Sequence, residues 1–118
     1  WYIEPTVFAD VTNDMPIARE EIFGPVLSVI KYGTEEEAIA IANDSDYGLC
    51  GSFWTGDPEH GAEVGAQVRT GVVAINSSMI LDFNAPFGGF KASGIGRELG
   101  PEGIEPYTEY QTIIKPAG

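Results

Sequence analysis

The feature that most constrains the fold is an alternation of strand-like and helix-like segments between residues 26 and 76. Residues 26–32 are apolar, rich in β-branched side chains and preceded by a Gly-Pro pair, which predicts a buried strand. Further strands are predicted at residues 49–54 and 72–76, with a helix in each interval. Strands that alternate with helices pair in parallel through right-handed crossovers. The predicted fold class is therefore α/β, a parallel sheet with flanking helices.

The first predicted helix begins at Thr34 and ends between Asn43 and Asp46. Thr34 and Glu37 have the spacing of a capping box, in which each side chain accepts a hydrogen bond from a backbone amide at the helix start. The glutamates at residues 35–37 place negative charge in the first turn, where the helix dipole favours it. The stripe expected to be buried comprises Ala38, Ile39, Ile41 and Ala42.

The second predicted helix has Asp57 as its N-cap and Pro58 in its first turn, and runs towards Arg69. Gly61 and Gly65 weaken it, because glycine has a low helix propensity. Outside this core we expect a strand within residues 6–11, and a glycine-rich loop passing into a helix over residues 87–100. Residues 110–114 are expected to form an edge or exchanged strand.

Composition argues against several classes of partner. The 118 residues include 18 acidic and 6 basic side chains, a formal charge of −12, so the clustered Lys and Arg that contact phosphates are missing. We expect neither nucleic acid nor an anionic membrane as a partner. No apolar run approaches the roughly 18 residues of a membrane span, and no signal peptide is visible. The single cysteine, Cys50, rules out an internal disulfide and favours a cytoplasmic location. The start at Trp1, without a methionine, suggests truncation.

Two separate motifs carry a family resemblance. Residues 19–25 have the sequence Arg-Glu-Glu-Ile-Phe-Gly-Pro, and residues 86–98 have the sequence Pro-Phe-Gly-Gly-Phe-Lys-Ala-Ser-Gly-Ile-Gly-Arg-Glu. Together they resemble the C-terminal part of the NAD(P)-dependent aldehyde dehydrogenase superfamily, from Trp1 to Lys115. The resemblance implies that residues 1–109 belong to the catalytic domain and that residues 110–118 form an oligomerisation strand and tail. An ordinary edge strand is the alternative for this last segment.

The motif at residues 19–25 suggests a cofactor clamp. A carboxylate can accept two hydrogen bonds at once and so can chelate the vicinal hydroxyls of a ribose. A nearby aromatic ring can pack against a nicotinamide. By the resemblance, Glu21 binds the ribose of NAD or NADP and Phe23 contacts the nicotinamide, whereas Glu20 has no such role. Taken without the resemblance, the same residues are typical of a solvated acidic pair and a packing aromatic.

Residues 77–87 follow the third predicted strand, at the kind of position where α/β proteins collect ligand contacts. Ungapped alignment on Asn76 and on Phe87-Gly88-Gly89 places the family's substrate-tunnel positions at Met79, Leu81 and Phe87. All three are apolar, which favours a hydrophobic aldehyde. The alternative is that these side chains pack in the core.

Other candidate sites are weaker. The glycines of residues 88–100 miss the dinucleotide fingerprint, so we expect them to permit positive φ and close approach of the chain. Cys50 is expected to be an ordinary buried thiol, and His60 a surface residue. One histidine and one cysteine form no metal site.

The resemblance implies a parent enzyme that oxidises aldehydes to carboxylic acids through a cysteine nucleophile and a glutamate-activated water. Both groups lie upstream of this chain in the family, so no residue here is assigned a catalytic role and the chain alone is expected to be inactive. We expect a homo-oligomer that assembles through the C-terminal strand. The alternative is a natural non-catalytic module that keeps the fold for assembly; a minimal nucleotide-binding domain fits less well, because no phosphate-binding loop is present.

Overall fold

The computed structural model describes residues 1–118 and contains six short strands, three α-helices and one 3₁₀ helix. The strands are β1 (Thr6–Phe8), β2 (Val26–Ser28), β3 (Tyr47–Gly48), β4 (Cys50–Phe53), β5 (Val72–Ile75) and β6 (Phe90–Lys91). The helices are α1 (Pro16–Arg19), α2 (Glu35–Asn43) and α3 (Pro58–Gly65), and the 3₁₀ helix spans Pro101–Tyr107.

The strands pair in three separate two-stranded sheets. β1 and β2 are parallel, with Thr6 opposite Val26, and β4 and β5 are parallel, with Cys50 opposite Val72. β3 and β6 form a short antiparallel pair. The predicted α/β class with parallel strands is confirmed. The predicted strands do not join into one sheet, however, because β2 pairs with β1 and has no ladder to β4.

The predicted cap of α2 is present, with a one-residue difference. The Thr34 hydroxyl accepts a hydrogen bond from the Glu37 amide at 3.2 Å, and the Glu37 carboxylate accepts one from the Gly33 amide at 2.6 Å. The Glu37 carboxylate thus binds the amide of the residue before the N-cap, whereas a capping box would have it bind the amide of Thr34 itself. The helix ends at Asn43, within the predicted range. The predicted stripe of α2 is less buried than expected, since Ala42 is exposed and the other three residues are only half-buried.

Helix α3 also begins as predicted, with the Asp57 carboxylate accepting hydrogen bonds from the Glu59 and His60 amides at 3.1 and 3.2 Å. It ends at Gly65, well before Arg69. Its two glycines are buried and bring the helix close to its neighbours. A Cβ at Gly65 would lie 2.8 Å from the Val73 side chain, so this helix needs glycine in order to pack on β5.

The core is small. Its buried hydrophobic side chains are Val11, Val64, Val68 and Ala74. The chain exposes 9509 Å², whereas a folded monomer of this mass exposes about 6,200 Å². Its radius of gyration is 19.2 Å, against about 13.5 Å for a compact domain of this length. Most apolar faces in this chain therefore have no cover within it.

Two expectations of burial in strands were wrong for this reason. Cys50 is exposed, because β4 is covered on one face only, where Gly51 and Phe53 are half-buried. Leu27 in β2 is 59% exposed. Residues 110–114 lie in no strand within this single chain and make no backbone hydrogen bond, so their pairing with a second copy stays a prediction.

Candidate functional site

Glu21 lies in an exposed segment between two fixed points. On one side, α1 ends at Arg19, and the Glu20 amide donates to the Pro16 carbonyl at 2.9 Å. On the other side, the Pro25 carbonyl accepts a hydrogen bond from the Thr6 amide at 2.9 Å at the start of the β1–β2 ladder. The Glu21 carboxylate is exposed and has no hydrogen-bond partner within the chain. Both of its oxygens are therefore free to accept hydrogen bonds from a ligand.

Phe23, in the same segment, has an unusual backbone conformation. Its φ is 55°, in the left-handed region, and its side chain is 92% exposed. A non-glycine residue in this region costs on the order of 1–3 kcal/mol, and such residues cluster at ligand-binding sites. The chain therefore holds an aromatic ring in solvent two residues beyond an unpartnered carboxylate.

The segment is attached to the C-terminal end of α2 by a bidentate ion pair. The Arg19 guanidinium lies 2.8 Å and 3.2 Å from the two carboxylate oxygens of Asp44, and 2.9 Å from the Asp44 carbonyl oxygen. The Asn13 side chain donates to the same carboxylate at 3.2 Å. These contacts hold the pKa of Asp44 below its ordinary value, with Arg19 the larger cause and Asn13 the next. Sequence reasoning missed this pair, because the partners are far apart in the chain and no local pattern joins them.

The three predicted substrate residues line one cleft of about 650 Å³. It lies beyond β5, and most of its lining is hydrophobic. Met79 is 76% exposed and Leu81 48% exposed, whereas Phe87 is half-buried. Met79 and Leu81 are therefore not buried within this chain. The cleft presents apolar side chains to a ligand or to a further part of the protein.

Asn76 fixes the start of this cleft where β5 ends. Its side-chain oxygen accepts from the Thr55 amide at 2.8 Å, and its side-chain nitrogen donates to the Thr55 carbonyl at 2.9 Å. The side chain thus continues the β4–β5 ladder, while its own backbone turns away with φ 51°. The Ser52 hydroxyl then donates to the Ser77 carbonyl at 2.6 Å. The polypeptide that carries Met79 therefore leaves the sheet in a defined direction.

Phe87, which lines this cleft, also begins the glycine-rich loop. Phe87 and Glu98 exchange two backbone hydrogen bonds, at 2.7 and 2.8 Å. A Cβ at Gly71 would lie 1.6 Å from the Gly88 carbonyl oxygen, and Gly100 has φ 59°. The expectation that glycines here provide close approach and positive φ is confirmed. Their function in this chain is to seat the loop against β5.

Glu21 and the three predicted substrate residues line different clefts. Glu21 lines a cleft of about 580 Å³ together with Arg19 and Cys50, and Phe23 lines neither cleft. The exposed Cys50 thiol has no hydrogen-bond partner there. Within this chain, the structure brings together Met79, Leu81 and Phe87 but does not bring Glu21 or Phe23 to them.

His60 is exposed, as expected, and joins the starts of two helices. Its Nε2 lies 2.6 Å from Glu35 and its Nδ1 lies 3.6 Å from Glu63. The hydrogen bond to Glu35 is the main reason that the pKa of His60 is raised, with Glu63 adding to it. No group of three or more His, Cys, Asp or Glu side chains could hold a metal ion. None of the helices has both the length and the apolar character needed to cross a membrane.

Comparison with known proteins identifies the family. The profile of the aldehyde dehydrogenase family matches residues 1–113, and the chain belongs to this family. The chain is 57% identical over 113 residues to geranial dehydrogenase of Castellaniella defragrans, covering 96% of this chain and 23% of that protein. It is 48% identical over 118 residues to betaine aldehyde dehydrogenase of Brucella melitensis, covering 100% of this chain and 24% of that protein.

Solved structures agree with the sequence relatives. An aldehyde dehydrogenase of Mycobacterium tuberculosis complexed with NAD+ superposes with a TM-score of 0.93 at 58% identity, over 99% of this chain and 24% of the other. A betaine aldehyde dehydrogenase of Staphylococcus aureus in complex with NAD+ superposes with a TM-score of 0.86 at 46% identity, over 90% and 21%. The chain spans about a quarter of the length of the relatives it matches.

Proposed function

We propose that this chain is the cofactor-clamping and substrate-lining part of a longer enzyme that oxidises aldehydes to carboxylic acids with a nicotinamide cofactor. The observation that carries the proposal is the superposition of 99% of the chain on an aldehyde dehydrogenase complexed with NAD+. The total surface of 9509 Å² and the many exposed large hydrophobic side chains support a longer protein, because extensive uncovered apolar surface drives association. Residues 1–109 would contribute to the catalytic domain, and residues 110–118 to an assembly segment.

The residues present fit a nicotinamide cofactor. Glu21 offers two free carboxylate oxygens, which can accept the two hydrogen bonds that a ribose diol donates, and Phe23 offers an exposed ring. When bound, the cofactor accepts a hydride from the substrate. Glu21 would orient it through charge-assisted hydrogen bonds, each contributing about 1.5–3 kcal/mol. NAD is supported by the complexes of the relatives, and NADP is the alternative.

The substrate in this proposal is a hydrophobic aldehyde. Met79, Leu81 and Phe87 are apolar, as is most of the cleft lining, and Asp82 is the one charged residue that lines it. A charged aldehyde would lose its hydration in this cleft, which is unfavourable unless the Asp82 carboxylate pairs with it. The proposal includes a cytoplasmic location, supported by the lack of any disulfide. It also includes a homo-oligomer joined through residues 110–114.

The test is an assay of the full-length polypeptide that contains this sequence. We expect reduction of NAD in the presence of an apolar aldehyde such as geranial, with a lower kcat/KM for the charged betaine aldehyde. NADP assayed in parallel decides the cofactor. Absence of reduction with both aldehydes and both cofactors would overturn the proposed activity. A preference for betaine aldehyde would overturn the substrate class alone.

A further inference from the structure

The C-terminal end of α2 is the point where several distant segments of the chain meet. A helix end leaves backbone carbonyls without partners, and here side chains from three segments supply the donors. Asn13 donates to the Ile41 carbonyl at 3.0 Å, and Arg19 to the Asp44 carbonyl at 2.9 Å. Lys91 donates to the carbonyls of Asn43 and Ser45, both at 2.9 Å. We call residues 41–45, with these bound donors, the α2 anchor.

The anchor is itself tightly held. The Asp44 amide donates to the Ala40 carbonyl at 3.0 Å, which keeps it on the last turn of α2. The Asn43 side chain accepts from the Arg69 amide at 2.7 Å and donates to the Gln67 carbonyl at 2.9 Å. The anchor is therefore fixed to the segment that follows α3 and leads into β5. Anything attached to the anchor takes its position from this part of the fold.

Arg19 links the Glu21 segment to the anchor, because its guanidinium binds Asp44 and its backbone lies two residues before Glu21. The Glu21 side chain has no partner of its own, so its location depends on the backbone on either side. After it, the nearest long-range contact is the hydrogen bond of Pro25 with Thr6. Before it, the nearest is the guanidinium of Arg19, bound through both nitrogens to one carboxylate. A planar fork bound at two points fixes orientation as well as distance.

From these contacts we infer that Arg19, held by Asp44, is a positioning residue that keeps the Glu21 carboxylate in place for a ribose diol. The inference rests on the proposed function. Arg19 touches no ligand in this account and acts only through Glu21. Removal of its side chain leaves the carboxylate present but free to move. Cofactor binding must then also order the Glu21 segment, and this loss of conformational entropy weakens the binding.

The test uses the full-length polypeptide and measures the Kd for NADH by fluorescence titration, together with the thermal midpoint without cofactor. Arg19→Met is the main variant, and Lys31→Met is its matched control, because Lys31 forms an unrelated exposed pair with Asp10 at 2.6 Å, against 2.8 Å for Arg19 and Asp44. We expect Arg19→Met to raise the Kd about tenfold. Arg19→Lys, which keeps the charge and loses the fork, should have an intermediate effect. Lys31→Met should leave the Kd unchanged.

A double-mutant cycle with Glu21→Gln shows whether Arg19 acts through Glu21. If it does, Arg19→Met adds less than about twofold to the Kd in the Glu21→Gln background. Full additivity, or a Kd in Arg19→Met equal to that of Lys31→Met, overturns the inference. If Arg19→Met also lowers the thermal midpoint, its effect on the Kd could reflect misfolding, and Arg19→Lys is then the deciding variant. An Arg19→Lys protein with both a wild-type Kd and a wild-type thermal midpoint would also overturn the inference. A normal Kd in Glu21→Gln alone instead refutes the clamp, which belongs to the proposed function.

Discussion

At the scale of single residues, the proposed function rests on side chains that have no partner inside this chain. Glu21 and Phe23 are exposed, and the φ of 55° at Phe23 is a conformation that an isolated loop would avoid. Strain of this kind persists only where the surrounding structure enforces it. The backbone is fixed on both sides of Phe23. Before it, Arg19 is bound to Asp44 at the end of α2, and after it, Pro25 is hydrogen-bonded to Thr6 at the start of β1.

Glu21→Gln in the full-length enzyme should slow single-turnover hydride transfer on the order of tenfold to a hundredfold. The amide keeps the shape but loses the charge-assisted hydrogen bonds that orient the ribose, each of about 1.5–3 kcal/mol. Glu20→Gln is the matched control, since Glu20 is an adjacent exposed glutamate in the same cleft. Equal rates for wild type and Glu21→Gln would refute the clamp.

The pair of His60 with Glu35 should make stability depend on pH. Because the folded-state pKa of His60 is raised, its stabilising effect is complete below the unfolded value of 6.5 and is lost as the pH rises through the folded value. The difference in thermal midpoint between wild type and His60→Gln should be largest near pH 6 and shrink towards pH 9. High salt should reduce it, because the pair is exposed. A difference that does not vary with pH would contradict this assignment.

Residue-level prediction from sequence succeeded where the cause is local. Thr34 and Asp57 cap the helices that their spacing predicted. The bidentate pair of Arg19 and Asp44 joins residues from different parts of the chain, so no local pattern could indicate it. The same holds for the contacts of Lys91 with the end of α2.

At the scale of elements, the packing of α3 on β5 shows that glycine within this helix is favourable, contrary to what its low helix propensity suggests. Gly65 was expected to weaken the helix, yet it is buried where a Cβ would lie 2.8 Å from the Val73 side chain. Close approach of helix and strand therefore outweighs helix propensity at this position. For the strands, the sequence is less informative about packing. An apolar run such as residues 26–32 predicts a strand, but it does not predict which face of that strand is covered within this chain.

Gly65→Ala should lower the thermal midpoint of the full-length protein, although alanine is the better helix former by about 1 kcal/mol. Overpacking against Val73 costs about 1–3 kcal/mol, enough to offset that gain or exceed it. The matched test is Gly65→Ala in a Val73→Ala background, where the crowding atom is absent and the substitution should no longer destabilise. A raised midpoint for Gly65→Ala beside the native Val73 would show that the helix moves away at no cost.

At the scale of the whole molecule, the chain has too much surface to be a self-sufficient domain. Its radius of gyration of 19.2 Å and its 24 large exposed hydrophobic residues are those of a segment that packs on other structure. Sequence reasoning found the family and the element order at this scale. It could not find which apolar faces are covered, because that depends on contacts outside the chain.

The isolated 118-residue chain should therefore associate in solution. Residues 110–114 make no backbone hydrogen bond and expose Tyr110, Ile113 and Ile114, which is a ready edge for strand pairing with a second copy. Light scattering at micromolar concentration should give the mass of a dimer or a larger species. A monomeric mass of 12.6 kDa would contradict the expectation.

The central claim is that this chain holds cofactor and substrate for chemistry carried elsewhere in a longer enzyme. Aldehyde-dependent NADH formation, measured side by side for the isolated chain and for the full-length polypeptide, tests it most directly. We predict turnover by the full-length polypeptide and none by the isolated chain. Turnover by the isolated chain would contradict the claim, and Cys50→Ser would then show whether the exposed thiol of Cys50 is the nucleophile.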